Sequence, residues 1–435
     1  MPPTKPVNVL LIGSGAREHA LAIAIARSPK LGALYATGTS NPGIASLASP
    51  VTVPTDIKQI YRLNQFCDAN KISLVVIGPE DPLAEGYADA LASPGRLVFG
   101  PSASAARIES DKAWSKKLMR AASIPTAEGR AFTDPDAAVQ YLESREESQV
   151  IKAAGLAKGK GVILPDSLEE GLDAIDRIMR RREFGDAGKT LIIEERLQGR
   201  EVSVLAITDG ASILVLPPCQ DHKRLRDNDE GPNTGGMGAF CPADTIDDDT
   251  MSRIETDILI PTLDALRREE IDYRGVLYAG LILTPAGPKV LEFNCRFGDP
   301  ECQPLMSRLE SDAIDLLSAP ANDTLDQLDV RWSDKAAVCV VLASEGYPEK
   351  PRTGVPIDGV EAAEAMSGVS VYHGATKAVG GQLLTDGGRV LSVTALGDTL
   401  ADARDLAYAA ADKITFKGKT YRTDVAAHVT QRCHG

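Results

Sequence analysis

Three short apolar segments, each running directly into a glycine, constrain the fold of this chain most strongly. Helical patterns separate them, and nearly continuous apolar strands are typical of parallel sheets covered on both faces. In such sheets the functional loops gather at the carboxyl ends of the strands. We therefore expect an α/β chain that opens with a parallel-sheet domain over residues 1–103. The three segments are residues 7–12, 73–77 and 97–99.

The remaining chain is too long for one core, because 435 residues exceed the usual size of a single domain. After residue 122 the pattern changes to strands flanking a glycine-rich loop, which predicts a small mobile subdomain over residues 123–190. Predicted hairpins at residues 201–216 and 275–294 belong to a central domain of residues 104–122 and 191–326. Residues 327–435 are expected to form a C-terminal mixed α/β domain, with strands at 336–342 and 389–395 and a helix at about 400–413.

Composition excludes several classes of protein. The formal net charge of −14 argues against nucleic-acid binding, and no apolar run reaches the roughly 20 residues that span a bilayer. The first six residues lack the apolar core of a signal peptide. Seven cysteines without a CxxC pair argue against a disulfide framework or a zinc site. We expect a cytoplasmic enzyme that binds neither nucleic acid nor membranes.

The run from Glu292 to Glu301 combines a strand with several polar groups of complementary chemistry. Strand side chains alternate between faces, so Glu292, Asn294 and Arg296 share one face, whereas residues 291, 293 and 295 point to the core. Carboxylate and amide oxygens suit Mg²⁺, and an arginine can neutralise phosphate. Asp299 follows in a turn. The pattern favours a metal–nucleotide site, although a strand with a polar outer face would share it.

The turn from Gly13 to Glu18 contains GxG but lacks the third glycine of a dinucleotide fingerprint. A helix beginning there would offer free N–H groups to an anion, and Arg17 would add charge. The alternative is a plain strand-to-helix turn formed by Gly13, Ser14 and Gly15.

A second glycine-rich segment, residues 153–161, follows the strand lysine Lys152. Its glycines and lysines suit a flexible flap that covers phosphates, but it is not a Walker loop. A solvated basic hairpin is the alternative. At the end of the next strand, the backbone at Glu194 and Glu195 could meet an adenine edge, and Glu201 could reach a ribose hydroxyl. Taken singly, these glutamates could equally be surface charges.

Residues 220–224 and 231–239 lie in one long glycine-dense loop between the predicted hairpins, and such loops are uncommon unless functional. Within it we interpret His222 as a hydrogen-bonding residue and Met237 as a packing residue.

These motifs, in this order, resemble those of the ATP-grasp ligases, and within them the glycinamide ribonucleotide synthetase family of phosphoribosylamine–glycine ligases. The resemblance covers nearly the whole chain, and the loop pair QDHKR and GPNTGGMGA is its most specific part. The matching motifs are GSGAREHA (13–20), NPG (41–43), IGPEDPL (77–83), FGPSASAA (99–106), IKAAGLAKGKGV (151–162), QDHKR (220–224), GPNTGGMGA (231–239) and EFNCRFGDPE (292–301).

The resemblance implies an ATP-grasp core with a lid over residues 123–190, and ATP-dependent joining of glycine to 5-phosphoribosylamine through glycyl phosphate. Mg²⁺ or Mn²⁺ would be held by Glu292 and Asn294, with Arg296 and Lys152 catalytic. ATP would be bound by Lys112, Lys152, Gly155, Gly159, Lys160, Gly161, Glu194, Glu195 and Glu201. The substrates would be bound by Gly13, Ser14, Gly15, Arg17, Glu18, Asn41, Pro42, Gly43, Pro79, Glu80, Asp81, Asp221, Lys223, Arg224, Asn233, Gly235, Gly236, Met237, Arg296, Asp299, Pro300 and Glu301.

The chain departs from the family pattern beside the expected nucleotide site. Ala154 stands where the family usually has aspartate, and Asp111 stands where it usually has serine. The family also implies a monomer with transient contacts to neighbouring purine-pathway enzymes. Other readings are a different ATP-grasp amine ligase or carboxylase, a nicotinamide oxidoreductase built on residues 13–18, and a nucleotide-binding regulatory protein without catalysis.

Overall fold

The computed structural model describes residues 5–157 and 159–427. The expectation for Lys158 in the flap, and those for residues 1–4 and 428–435, therefore lie outside the described residues. No helix within the described ranges is long and apolar enough to cross a membrane.

The first hundred residues form the predicted parallel sheet, with the strand order β3-β2-β1-β4-β5. The Gly78 N–H donates to the Ile12 carbonyl across 3.0 Å, so two glycine turns meet at one edge of the sheet. The strands are Val7–Ile12 (β1), Leu31–Ala36 (β2), Ser49–Pro50 (β3), Ile72–Ile77 (β4) and Leu97–Phe99 (β5); the helices are Ala16–Ala26 (α1), Pro42–Ala45 (α2), Ile60–Ala69 (α3), Glu80–Ala84 (α4) and Tyr87–Leu91 (α5).

Two helices lead into a compact lid, a four-stranded sheet of order β6-β9-β7-β8 covered by two helices with a core of their own. The predicted lid ended at residue 190, but β9 pairs with β6 and β7, so the lid sheet runs on to Glu195. The elements are Ala103–Ser110 (α6), Lys112–Ala121 (α7), Gly129–Phe132 (β6), Pro135–Glu143 (α8), Gln149–Ala153 (β7), Val162–Ile163 (β8), Leu168–Ile175 (α9) and Leu191–Glu195 (β9).

Both predicted hairpins of the central domain are present and join in one antiparallel sheet, β11-β10-β16-β17. Its elements are Arg200–Thr208 (β10), Ile213–Val215 (β11), Gln220–Asp221 (β12), Arg224–Arg226 (β13), Glu230–Asn233 (β14), Gly238–Cys241 (β15), Asp248–Ile254 (α10), Ile260–Arg268 (α11), Gly275–Thr284 (β16), Gly287–Asn294 (β17), Cys302–Arg308 (α12) and Ala313–Asn322 (α13).

The predicted long loop between the hairpins is wrong, because the segment contains β12 to β15. β12 pairs with β15, and β15 pairs with the first strand of the C-terminal region, Ala336–Ala343 (β18). These strands are short, and their sequence has no apolar alternation to reveal them. Strands from the predicted central and C-terminal domains therefore pair in one sheet.

The C-terminal region completes that sheet in the order β12-β15-β18-β22-β19. The predicted strands at 336–342 and 389–395 and the helix at 400–413 are confirmed. A capping box between Thr399 and Asp402 fixes the start of this last helix. The remaining elements are Val360–Glu364 (α14), Val369–His373 (β19), Thr376–Val379 (β20), Gln382–Thr385 (β21), Arg389–Gly397 (β22) and Leu400–Lys413 (α15).

Candidate active site

A cleft of about 1120 Å³ lies where the N-terminal, central and C-terminal regions meet under the lid. It receives side chains from all of them. The predicted site residues that line it are Arg17, Glu80, Lys112, Lys152, Gly159, Gly161, Glu194, Glu195, Glu201, Asp221, Lys223, Arg224, Asn233, Gly235, Glu292, Asn294, Arg296, Asp299 and Glu301.

Other predicted site residues lie behind the wall of the cleft or beside it. Met237 is fully buried. Its burial agrees with the expected packing role and argues against direct contact with a substrate. Lys160 is exposed on the flap. The residues outside the lining are Gly13, Ser14, Gly15, Glu18, Asn41, Pro42, Gly43, Pro79, Asp81, Gly155, Lys160, Gly236, Met237 and Pro300.

The β17 strand presents Glu292 and Asn294 to the cleft, and Cys295 is buried behind it, as the alternation predicts. Phe293 is buried too, but it also contributes to the lining of the cleft. Leu291 departs from the pattern. The register shifts between Gly280 and Leu281, so Leu291 lies half-buried at a bulge and its carbonyl faces the cleft. The bulge makes this carbonyl available to a side chain from the lid.

Glu292 suits a cation ligand because it remains ionised inside the protein. Burial alone would raise its pKa, but Lys223, Lys112 and other cations together lower it. The Lys223 ammonium lies 4.0 Å from the carboxylate. Within the described ranges no cluster of three His, Cys, Asp or Glu side chains could hold a metal alone. One carboxylate and one amide fit Mg²⁺, which usually completes its shell with phosphate oxygens and water.

The lysine end of the cleft is defined by Lys112, Lys152 and Glu194. Lys112 donates to the Gly155 carbonyl across 3.3 Å, and burial lowers the pKa of its ammonium. Lys152 donates to the Leu291 carbonyl across 3.1 Å and forms an ion pair with Glu194. This end therefore concentrates positive charge beside the Glu292 strand.

Glu194 is not a surface charge, since only 2% of the residue is exposed. Its second carboxylate oxygen lies 2.7 Å from the ammonium of Lys116, a buried residue that the sequence analysis missed. The neighbouring Glu195 bonds instead to the Glu128 N–H and to Lys289. Glu201 lies 3.3 Å from the Lys223 ammonium.

Asp221 and Lys223 bring opposite charges into the middle of the cleft from β12 and the residues after it. Burial, with repulsion from Glu301 and Glu201, raises the pKa of Asp221 to about 7. Asp221 and Glu201 in turn raise the pKa of Lys223 well above its usual value despite burial. Glu301 accepts hydrogen bonds from the Tyr278 and Ser203 hydroxyls at 2.8 and 3.2 Å.

The arginine end of the cleft is defined by Arg17, Arg296 and Arg389, and carboxylates hold each guanidinium. Arg296 donates to Glu80 across 3.1 Å and to Glu109 across 2.9 Å. These carboxylates raise its pKa although burial opposes the charge. Glu109 also accepts the Cys295 N–H. Glu109 was not among the residues that the sequence pointed to.

The glycine turn at residues 13–15 is already occupied by the protein's own carboxylate. The Gly15 N–H donates to Glu18 across 2.6 Å, and a Cβ on Gly13 would lie 2.5 Å from the Glu18 side chain. Arg17 donates to the same carboxylate and to the Phe297 carbonyl. The expectation that this helix start binds a ligand anion is therefore not supported at Gly15, whereas Arg17 does reach the cleft.

Asn41 joins the N-terminal and C-terminal regions. Its side-chain amide donates to the carbonyls of Ser14 and His373, at 2.8 and 2.7 Å, and its oxygen caps α2 through the Gly43 N–H. The His373 N–H donates to His19 Nδ1 across 2.9 Å. The structure thus gives the predicted substrate motif at 41–43 an interdomain role.

Arg389 and Tyr347 are further residues that sequence reasoning missed. Arg389 donates to the carbonyls of Gly235 and Asp299, both at 2.7 Å, and to the Asp299 carboxylate at 2.9 Å. The Tyr347 hydroxyl accepts the Gly235 N–H. Both come from the C-terminal region and hold the loop at 231–239 against the turn at Asp299; no local sequence signal marks either residue.

Family models match almost the whole chain. The phosphoribosylglycinamide synthetase N domain matches residues 7–109, its ATP-grasp (A) domain residues 110–302 and its C domain residues 337–428. The phosphoribosylamine–glycine ligase of Rhodopirellula baltica is 47% identical over 427 residues, covering 96% of this chain and 97% of that protein. This chain belongs to the phosphoribosylglycinamide synthetase family. The resemblance inferred from the motifs is thereby confirmed.

Other relatives agree on the architecture. The trifunctional purine biosynthetic protein adenosine-3 of Gallus gallus is 46% identical across 96% of this chain, which spans only 42% of that longer protein. The crystal structure of phosphoribosylamine–glycine ligase from Thermotoga maritima is 32% identical, with a TM-score of 0.81 over 96% of this chain and all of that one. A biotin carboxylase domain from Hydrogenobacter thermophilus, in complex with MgADP, is 15% identical with a TM-score of 0.72 and shares the fold alone.

Proposed function

We propose that this chain uses ATP to join glycine to 5-phosphoribosylamine, giving glycinamide ribonucleotide, ADP and phosphate. The observation that carries the proposal is the convergence of three motifs on one cleft. The groups that line it include Lys112 with Lys152, the Glu292–Asn294 pair, and Asp221 with Lys223. A single cleft with a lysine end and an arginine end suits a two-substrate ligation.

A carboxylate is a poor electrophile, so glycine must first be activated. Its carboxylate oxygen attacks the γ-phosphorus of ATP, the bond to ADP breaks, and glycyl phosphate forms. Lys112 and Lys152 would bind phosphate oxygens and offset their charge, with Arg296 stabilising the transferred group. Preorganised charges of this kind are worth about 3 kcal/mol per donor in the transition state.

A divalent cation, Mg²⁺ or Mn²⁺, would neutralise the charge that develops on the phosphates. Glu292 and Asn294 are the residues that would hold it. The ionised state of Glu292 and the position of both residues on a rigid strand support this assignment.

The amine of phosphoribosylamine then attacks the acyl carbon, phosphate leaves, and the new C–N bond is complete once the nitrogen loses a proton. We assign this substrate to the arginine end, with Arg17 near its phosphate and Asp221, Lys223 and Asn233 near the sugar and amine. The flap reaches the same cleft, because a Cβ on Gly159 would lie 3.5 Å from the Thr234 carbonyl. Its closure would protect glycyl phosphate and the labile substrate phosphoribosylamine from water.

The test is ATP turnover with glycine and freshly made phosphoribosylamine, each omitted in turn. We expect ADP release to require both, with stoichiometric glycinamide ribonucleotide. Full turnover with bicarbonate in place of glycine, or with no amine at all, would contradict the proposal. A cytoplasmic location, a monomeric state and transient contacts with neighbouring purine-pathway enzymes are parts of the same proposal; size-exclusion chromatography with light scattering tests the monomer.

A further inference from the structure

The lysine end contains a row of three buried charges that the proposed chemistry uses only in part. The carboxylate of Glu194 lies between the ammonium groups of Lys116 and Lys152. The side chains of both lysines are 9% exposed and that of Glu194 is 3% exposed. Lys152 and Glu194 line the cleft, whereas Lys116 is not part of its lining.

Lys116 is held in place more fully than Lys152. Its ammonium donates to the Thr126 hydroxyl across 3.0 Å and to the Ala127 carbonyl across 2.9 Å. These two hydrogen bonds hold its charge in an ion pair with Glu194, whose Oε2 lies 2.7 Å away. Lys116 is therefore a stationary charge behind Glu194, while Lys152 stands at the cleft surface.

These contacts create a problem when a nucleotide binds. If Lys152 turns towards a phosphate, it loosens its ion pair with Glu194. A buried carboxylate that loses its partner is strongly destabilising, and this cost would oppose binding. A second, immobile cation on the same carboxylate removes most of that cost.

We propose that Lys116 is a positioning residue that keeps Glu194 compensated and thereby releases Lys152 to bind nucleotide phosphate. Without Lys116, Glu194 has Lys152 as its remaining cation and withholds it from the nucleotide. Lys116 acts through Glu194 and does not touch the substrate. The inference rests on the proposed use of ATP, but not on the identity of the acceptor substrates.

The test measures the Kd of β,γ-methylene-ATP with Mg²⁺ by calorimetry on the full chain. For Lys116→Met we expect Kd to rise about tenfold relative to the parent chain. For the double variant Lys116→Met/Glu194→Gln we expect a Kd within about threefold of that of Glu194→Gln alone. Rescue by the second substitution is specific, because a neutral glutamine neither needs Lys116 nor holds Lys152. Should Lys116→Met fail to fold, Lys116→Gln, which keeps a donor for Ala127, replaces it in both backgrounds.

Thr126→Val is the matched control, since it removes one hydrogen bond from Lys116, together with the bond from Thr126 to the Val290 carbonyl, and leaves the charges unchanged. We expect its Kd to stay within about twofold of the parent. The inference is overturned by a parent-like Kd in the Lys116 variant, by equal weakening in the Glu194→Gln background, or by equal weakening in Thr126→Val.

Turnover separates this inference from the proposed function. In the Lys116 variant the KM for ATP should rise while those for glycine and phosphoribosylamine stay within about twofold. If the Kd series behaves as expected but glycine and phosphoribosylamine support no turnover, the role of Lys116 stands and the substrate assignment fails. If glycine and phosphoribosylamine support turnover but the Kd series does not behave as expected, the proposed function stands and the role of Lys116 fails.

Discussion

The two ends of the cleft treat their positive charges differently. At the arginine end each guanidinium is already matched: Arg17 to Glu18, Arg296 to Glu80 and Glu109, and Arg389 to Asp299. At the lysine end Lys116 and Lys152 share the single carboxylate of Glu194, and Lys112 bonds to a carbonyl. The first end fixes the position of each guanidinium with a carboxylate of its own, whereas at the second end two lysines share one carboxylate. Similar numbers of cations thus serve different purposes.

The strongest test of this contrast removes the carboxylate that faces the lysine end. For Glu292→Gln we expect kcat to fall by about 100-fold or more. The variant weakens a proposed metal ligand and removes the negative charge that would balance the metal ion. The melting temperature should change little, as the side chain is about one-third exposed. Near-normal kcat at saturating Mg²⁺, measured by ADP release, would contradict the assignment.

The next test addresses the arginine end. In Arg17→Ala we expect the KM for phosphoribosylamine to rise by about tenfold or more, while the constants for ATP and glycine change less than about threefold. Arg96→Ala is a matched control, since Arg96 is a buried arginine of the same domain that pairs with Asp68 away from the cleft. If the ATP constant moves instead, the two ends have been assigned the wrong way round.

A smaller effect is expected from the flap that covers the lysine end. Gly159 has φ of +75°, and a Cβ on Gly161 would lie 2.6 Å from Ala157, so valine at both positions should hinder closure. We expect Kd for ATP to rise by about threefold to tenfold, with ATP hydrolysis partly uncoupled from ligation. Gly185→Val is the control, because Gly185 also has positive φ but faces open space. If Gly185→Val weakens ATP binding as much as the flap variant does, backbone strain explains the result and flap closure does not.

The smallest effect concerns the interface behind the arginine end. Burial lowers the pKa of His19 to about 3 and that of His373 to about 4. The unfolded chain takes up these protons near pH 6.5, so stability falls as the pH drops below that value. From about pH 7.5 to about pH 5.5 we expect a loss of roughly 1 kcal/mol per histidine. Urea unfolding of His373→Asn should show a smaller pH dependence, and an unchanged dependence would exclude this histidine as the cause.

Sequence reasoning succeeded where periodicity was strong. The strands at residues 7–12, 97–99 and 191–195, both hairpins and the last helix were placed within a residue or two, because buried strands are apolar and glycine marks their ends. Short polar strands such as β12 and β14 carry no such signal. β12 pairs with β15 about 20 residues along the chain, and β14 pairs with the neighbouring β13, so their formation depends on local geometry that composition does not record.

For the site, the motifs located the groups that face the cleft but not the groups behind them. Glu292, Asn294 and Lys152 are polar or charged residues within predicted apolar strands, and this contrast is visible in the sequence. Lys116 and Glu109 were missed because a charged residue on a helix usually faces solvent, and only burial shows otherwise. At the first glycine turn, the sequence did not show that the Gly15 N–H donates to Glu18 of the protein itself.

The family models divide the chain between residues 302 and 337, but β15 and β18 lie on opposite sides of that division and pair in one sheet. A fragment beginning near residue 327 would lack β12 and β15, and the edge of its longest buried strand would be exposed to other chains. Unpaired edges of this kind promote aggregation. A fragment ending near the same point would leave β15 without its long partner. Attempts to express the two halves separately should therefore give insoluble material, and mixing separately prepared halves would not restore a working cleft.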